Sequence, residues 1–301
     1  MVVPHELAAA YAACDRLARE HYENCPVASL LLPRRMRPHV AALYAFARTA
    51  DDIADEGKRP ADERERLLGA IGLALDLPHL SPGGELAALA PILSATRHTI
   101  VACRLPVRLF HDLLSAFEQD VRTTRYETWP DVLDYCARSA NPVGRLVLRI
   151  AGYEAPALDR ESDAVCTALQ LTNFWQDLER DWNKGRLYVP GEDLAAAGAR
   201  EEDLAARRLT PEWRAVLARV AGRTRALFEQ GRGVADRVSG RLRWELRLTW
   251  LGGVRILDEL ERSGFDVFRR RPALSFADAP RLAWRAVTWR TRAPRAGAPL
   301  L

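Results

Sequence analysis

Val40-Ala-Ala-Leu-Tyr-Ala-Phe-Ala-Arg-Thr-Ala-Asp-Asp-Ile-Ala-Asp55 starts apolar and ends in acid: four of the six residues from Asp51 to Glu56 are Asp or Glu. Apolar residues recurring at three and four predict a helix. Asp51 and Asp55, four apart, then project from one face. A second stretch, Leu171-Thr-Asn-Phe-Trp-Gln-Asp-Leu-Glu-Arg-Asp181, repeats the device with Asp177 and Asp181. Like charges at this spacing cost a helix roughly a few tenths of a kcal/mol. Carboxylates at a helix C-terminal end also oppose its dipole. A bound cation removes both penalties, and oxygen-only ligands with no His or Cys nearby suit Mg²⁺.

A lone pair is weak evidence, since Asp meets that spacing by chance, and a solvated face is the plain alternative. Neighbours separate the two pairs from a third, Asp159 and Asp163, which has only Arg160 beside it and reads as acids at a helix start. Arg48 lies one turn before Asp51 and Asp52, where it can pair with them or meet a phosphate. Asn173 lies one turn before Asp177, with Gln176, Lys184 and Arg186 close by in sequence. Two acidic helix ends with basic neighbours describe a clamp for Mg²⁺ and diphosphate. Apolar walls between them suit ionisation of an allylic or cyclopropylcarbinyl diphosphate and shelter of the carbocation.

Outward from these stretches the chain reads as helical throughout. Helices are expected near 4–20, 36–56, 61–75, 83–102, 107–121, 130–151, 160–183, 210–236, 240–263 and 278–291, with breaks at Pro33, Gly57–Pro60, Pro78 to Gly84, Pro130, Gly185 and Pro190. Short connections between long helices predict one all-α body over residues 1–301, with its core in about 21–271 and a basic tail from about 272 to 301. Small residues in Tyr135 to Gly152 (Ala137, Ser139, Ala140, Gly144) invite close approach by a helix or a ligand. The composition, 48% hydrophobic and 28% charged, excludes a wholly disordered chain. No run of about 18 apolar residues occurs, so no spanning helix is expected. Five widely spaced cysteines predict free thiols and a cytoplasmic setting. The net charge of +4 is too balanced to argue for nucleic acid. Arginines gather from Arg262 to Arg295, either as a solvated surface or as an attraction for anionic lipid or substrate.

At these residues the sequence resembles the squalene/phytoene synthase family. The resemblance rests on Ala47-Arg-Thr-Ala-Asp-Asp-Ile-Ala-Asp-Glu56, on the Leu171–Asp181 stretch, and on Gly185-Arg-Leu-Tyr-Val-Pro190. It extends from about His21 to about Arg271 and takes in Tyr126, Tyr135-Cys136, Gly144, Ile256-Leu257 and Gly264-Phe265-Asp266-Val267. It implies an isoprenoid synthase fold, a single helical bundle around a central apolar cavity. It implies about two or three Mg²⁺ ions held by Asp51 and Asp55 on one wall and by Asp177 and Asp181 on the other, with Asp52 and Asn173 as further ligands. Arg48, Asn173, Lys184, Arg186, Tyr188 and Arg270 fall where the family meets diphosphate or metal, and Tyr44 and Tyr135 where it lines the cavity.

Within the family, His21-Tyr-Glu-Asn-Cys-Pro-Val-Ala-Ser29, Ser139-Ala-Asn-Pro-Val-Gly144 and Asn173-Phe-Trp-Gln176 resemble the branch that turns presqualene diphosphate into hydroxysqualene without NADPH. The alternative is a head-to-head coupler of two prenyl diphosphates. Many relatives carry Arg where this chain has Gln176, and losing that cation fits one diphosphate rather than two. Gly253 stands where some relatives have an aromatic residue; Trp250 either substitutes for it or packs in the core. Water capture needs a polar holder, and Asn24, Ser139, Asn141 and Gln176 are the candidates. Long hydrocarbon substrates and products lead to the expectation of a peripheral membrane contact, with pathway enzymes as further partners.

Overall fold

The computed structural model describes residues 4–20, 31–55, 59–77 and 83–290, and these form no strand. The Asn24 reading, the His21–Ser29 stretch that carries part of the resemblance, and Glu56 lie outside the described residues. The helices are α1 (Ala8–Glu20), α2 (Arg37–Asp55), α3 (Ala61–Asp76), α4 (Ala90–Cys103), α5 (Arg108–Arg122), α6 (Trp129–Ser139), α7 (Asn141–Ala151), α8 (Pro156–Gln176), α9 (Leu178–Asn183), α10 (Gly191–Ala197), α11 (Glu201–Ala205), α12 (Pro211–Gly231), α13 (Gly240–Arg262) and α14 (Ala279–Val287). Short 3₁₀ turns precede α1, α4 and α14, and one follows α12.

Two long expected helices are broken. The expected 130–151 helix divides at Ala140, because Pro142 has no N–H for the Arg138 carbonyl. The expected 160–183 helix leaves α geometry at Asp177 (φ −100°, ψ 13°) and resumes as α9. The short helices α10 and α11, with acids in their first turns, lie in a stretch read as connection.

The core runs through α2 to α8, α12 and α13, with Phe46, Phe110, Trp175, Trp213 and Phe228 among its fully buried side chains. Helix α8 packs along α12, α7 and α13, and α2 packs against α1, α4 and α5. Gly144 serves a neighbouring helix, not a ligand: a Cβ there would sit 2.4 Å from Ser162 Oγ and 2.5 Å from Cys166 Sγ of α8. The third aspartate pair also joins these helices. Asp159 takes two hydrogen bonds from Arg149 (2.9 and 2.6 Å), and Asp163 takes two from Arg145 (2.9 and 2.5 Å).

Gly84–Cys103 is apolar and long enough to cross a bilayer by length and composition alone. It contains Arg97, whose Nε donates to the Ala74 carbonyl at 2.7 Å, and its α4 portion packs against α1 and α2. The connection after α9 is pinned to the segment after α5. Leu187 N donates to Thr124 O and Gly191 N to Tyr126 O, each at 2.9 Å. Those bonds fix where Arg186 and Tyr188 stand.

Candidate active site

The last turns of α2, the end of α5 and the α8–α9 break meet at one cavity of about 160 Å³. Asp51, Asp55, Asp120, Asp177 and Asp181 line it, so five carboxylates from three parts of the chain share one space. Tyr135, Asn173, Arg186 and Tyr188 complete the walls with Gln170 and Phe174. Helical spacing aligns each pair; tertiary packing sets the pairs opposite one another.

Crowding has its electrostatic mark. Burial, and then the neighbouring Asp55 carboxylate, push Asp51 up to about 6. Burial, and then Asp177, push Asp181 up to about 7. Burial also raises Asp120 to about 7, against the hydrogen bond it accepts from Tyr135 (2.5 Å). Part of the charge is answered by the chain's own cations. Arg186 Nη1 lies 2.6 Å and Lys184 Nζ 3.3 Å from Asp55. Arg48 lies 2.6 Å from Asp52 and 3.6 Å from Asp51.

Hard oxygen donors whose burial disfavours their charged form suit a cation such as Mg²⁺. Among the described residues no three of them converge as a ready cage. An ion that keeps several waters and binds through one or two carboxylates and substrate phosphates needs no such cage. Asp51 and Asp55 on one wall and Asp177 and Asp181 on the other are the residues that would hold it.

The structure places the other expected residues unevenly. Tyr135, Asn173, Arg186 and Tyr188 are in the cavity wall, and Lys184 reaches it through Asp55. Asp52 is turned to Arg48 and is not part of the lining. Tyr44 is partly buried against the Ala10, Tyr11 and Ala41 cluster on the α1 side. Asn141 accepts a hydrogen bond from Thr167 at 2.9 Å between α7 and α8. Gln176 is buried and donates to the Pro272 carbonyl at 2.5 Å, away from the cavity lining. Ser139 Oγ is buried with no hydrogen-bond partner among the described residues.

Arg270 is exposed, while its neighbour Arg271 grips Asp177 through Nε and Nη2 at 2.5 and 2.9 Å. The Gln176 bond to Pro272 fixes the segment that carries Arg271. Beside Gln176, which carries no charge, Arg271 thus brings a cation to Asp177. Trp250 is core: its Nε1 donates to Phe228 O at 2.6 Å. Gly253 is small because Phe228 occupies the space in front of it, with the ring Cζ 2.6 Å from where a Cβ would stand.

Sequence reasoning missed Asp120 and Phe174. Asp120 is a lone acid near the end of α5 with no motif around it, and its Oδ1 is buried without a hydrogen-bond partner among the described residues. Phe174 stacks on Tyr188 with centroids 3.8 Å apart, and Tyr126 and Tyr135 pack beside them. These rings stand behind the acids, where apolar room was expected. Phe174 lies within the quoted motif, and its place one residue after Asn173 was the only available signal.

Comparison with known proteins identifies the family. A family model described as squalene/phytoene synthase matches residues 18–278. The hydroxysqualene synthase of Rhodopseudomonas palustris is 38% identical over 72% of this chain and 71% of its own length. That of Sinorhizobium fredii is 37% identical over 87% of this chain and 86% of its own. The crystal structure of a squalene synthase from Alicyclobacillus acidocaldarius superposes with a TM-score of 0.80 at 42% identity, covering 87% of this chain and 97% of that one.

Proposed function

From the premise that this chain belongs to the squalene/phytoene synthase family of enzymes, we propose that it converts presqualene diphosphate to hydroxysqualene with Mg²⁺. Prenyl diphosphates are the substrates of the family. The observation that carries the reading is the meeting of two aspartate pairs, Arg186 and a wall of aromatic rings in one cavity.

Bound Mg²⁺ supplies charge withdrawal from the departing diphosphate. Asp51, Asp55, Asp177 and Asp181 would hold it, and Arg186, Lys184 and Arg271, paired with Asp55 and Asp177, are the cations that would meet diphosphate oxygens. Phe174, Tyr188 and Tyr135 line the cavity as a packed aromatic wall beside which a carbocation would sit. These rings also keep bulk water from quenching it before the cyclopropane rearranges. Capture then needs one held water. Asp120 Oδ1, from the cavity lining, and Ser139 Oγ, one turn after Tyr135, are buried without a hydrogen-bond partner among the described residues and would hold it. Asn141 Oδ1 and Gln176 Nε2 each have a protein partner, so Asp120 and Ser139 are favoured over them.

Incubation with presqualene diphosphate and Mg²⁺, without NADPH, followed by mass identification of the product, tests the reading. Hydroxysqualene supports it. Consumption of farnesyl diphosphate alone, with presqualene diphosphate or a C30 hydrocarbon accumulating, would instead identify a coupling enzyme.

A further inference from the structure

One surface remote from the acids stands out. Helix α14 buries Leu282 and Ala286, and just past its end Trp289, while Trp284 and Val287 on the other face are 67% and 62% exposed. Phe276, in the turn leading into it, is 91% exposed. The helix is firmly seated. Trp289 packs edge-on to Trp250 at 5.3 Å, and Arg255 pairs with Asp278 at 2.9 Å at its start. Arg247 lies over both Trp289 and Trp244, which extends the aromatic surface to the start of α13.

Charge adds to the apolar stripe on this face. Several surface arginines of α12 and α13 answer carboxylates: Arg219 and Arg223 meet Asp193, and Arg225 meets Asp258 and Glu261. Arg281 and Arg285 have no carboxylate of the described residues within reach. From Val267 to the last residue the sequence holds eight arginines and one acid, Asp278, which is already engaged by Arg255. Exposed Trp, Phe and Val on one stripe, with unanswered arginines beside it, match the boundary between acyl chains and anionic headgroups.

We propose that α14, with Phe276 and Trp244, is a docking surface for an anionic phospholipid bilayer, with Trp284 and Val287 inserted and Arg281 and Arg285 at the headgroups. The surface lies outside the catalytic cavity, so docking stands apart from the reaction assigned above. It places an enzyme with hydrocarbon substrate and product against the phase that dissolves both.

Vesicle sedimentation of the full chain without substrate tests it, using phosphatidylcholine vesicles with and without phosphatidylglycerol. Binding is expected only with phosphatidylglycerol, and it weakens as salt rises. Arg281→Gln with Arg285→Gln should weaken it roughly 30-fold, about fivefold per arginine. Trp284→Ser with Val287→Ser should weaken it by about tenfold or more, with the melting temperature unchanged in both variants. Val101→Ser, at another exposed apolar position (75%), should bind as the parent does. The proposal is overturned if the parent stays in the supernatant with anionic vesicles, which would leave the face to an acidic protein. It is equally overturned if the Trp284 and Val287 changes have no effect, or if Val101→Ser is the variant that loses binding.

Discussion

Replacing Asp181 by Asn should make the metal-free protein more stable. Burial and Asp177 lift the Asp181 carboxyl from its ordinary 3.8 to about 7, even with Lys184 and Arg186 drawing it down. An acid with a raised folded value destabilises the fold at every pH above its unfolded value. The loss grows until pH passes the folded value. At pH 8 the full shift applies and is worth about 4 kcal/mol; at pH 5 only the part between 3.8 and 5 counts, about 2 kcal/mol. For a chain of 301 residues, with an unfolding entropy of about 0.6 kcal/mol per degree, Asp181→Asn should raise Tm by about 7 °C at pH 8 and about 3 °C at pH 5. Thermal unfolding with a chelator present measures this. Adding Mg²⁺ and pyrophosphate should then stabilise the parent more than the variant, while turnover of the variant falls by orders of magnitude. A variant that melts at or below the parent at pH 8 without Mg²⁺ would show that the carboxylates do not strain the empty clamp, and the reasoning would fail.

Arg271→Ala removes two charge-assisted bonds to Asp177 and should lower kcat/KM by about 10- to 100-fold, while Arg270→Ala stays near parental; steady-state kinetics decide. Glu245 is buried with Oε2 unpartnered, and burial pushes its carboxyl to about 8. Glu245→Gln should therefore stabilise by about 3 kcal/mol at pH 7, with the gain shrinking below about 1 kcal/mol by pH 5. Denaturant melts at the two pH values check that sign. Gly253→Ala drives a methyl into Leu169 and Phe228 and should cost about 1–3 kcal/mol, read as a lower Tm. Tyr135→Phe leaves the ring but removes the donor to Asp120; product analysis should show diphosphate release persisting with a smaller fraction of hydroxylated product.

Helices, aspartate pairs and family were all legible in the residues alone, for one reason. Spacing within a helix is local, so a period of three and four announces both the buried face and the acids that share a side. The same locality explains the failures. Nothing near Asp120 in sequence marks it, because its importance comes from α5 ending beside two other acidic helix ends. Arg271, not Arg270, reaches Asp177 because an irregular segment has no period to set its phase, and the Gln176 bond to Pro272 sets it instead. The break at Asp177 and the ring of Phe228 against Gly253 likewise depend on what arrives from distant parts of the chain. The sequence alone determined which faces are apolar and where carboxylates cluster along each helix. Only the tertiary structure decided which charges meet across the cavity, because Coulomb and packing energies depend on distances between helices that no spacing along one helix encodes.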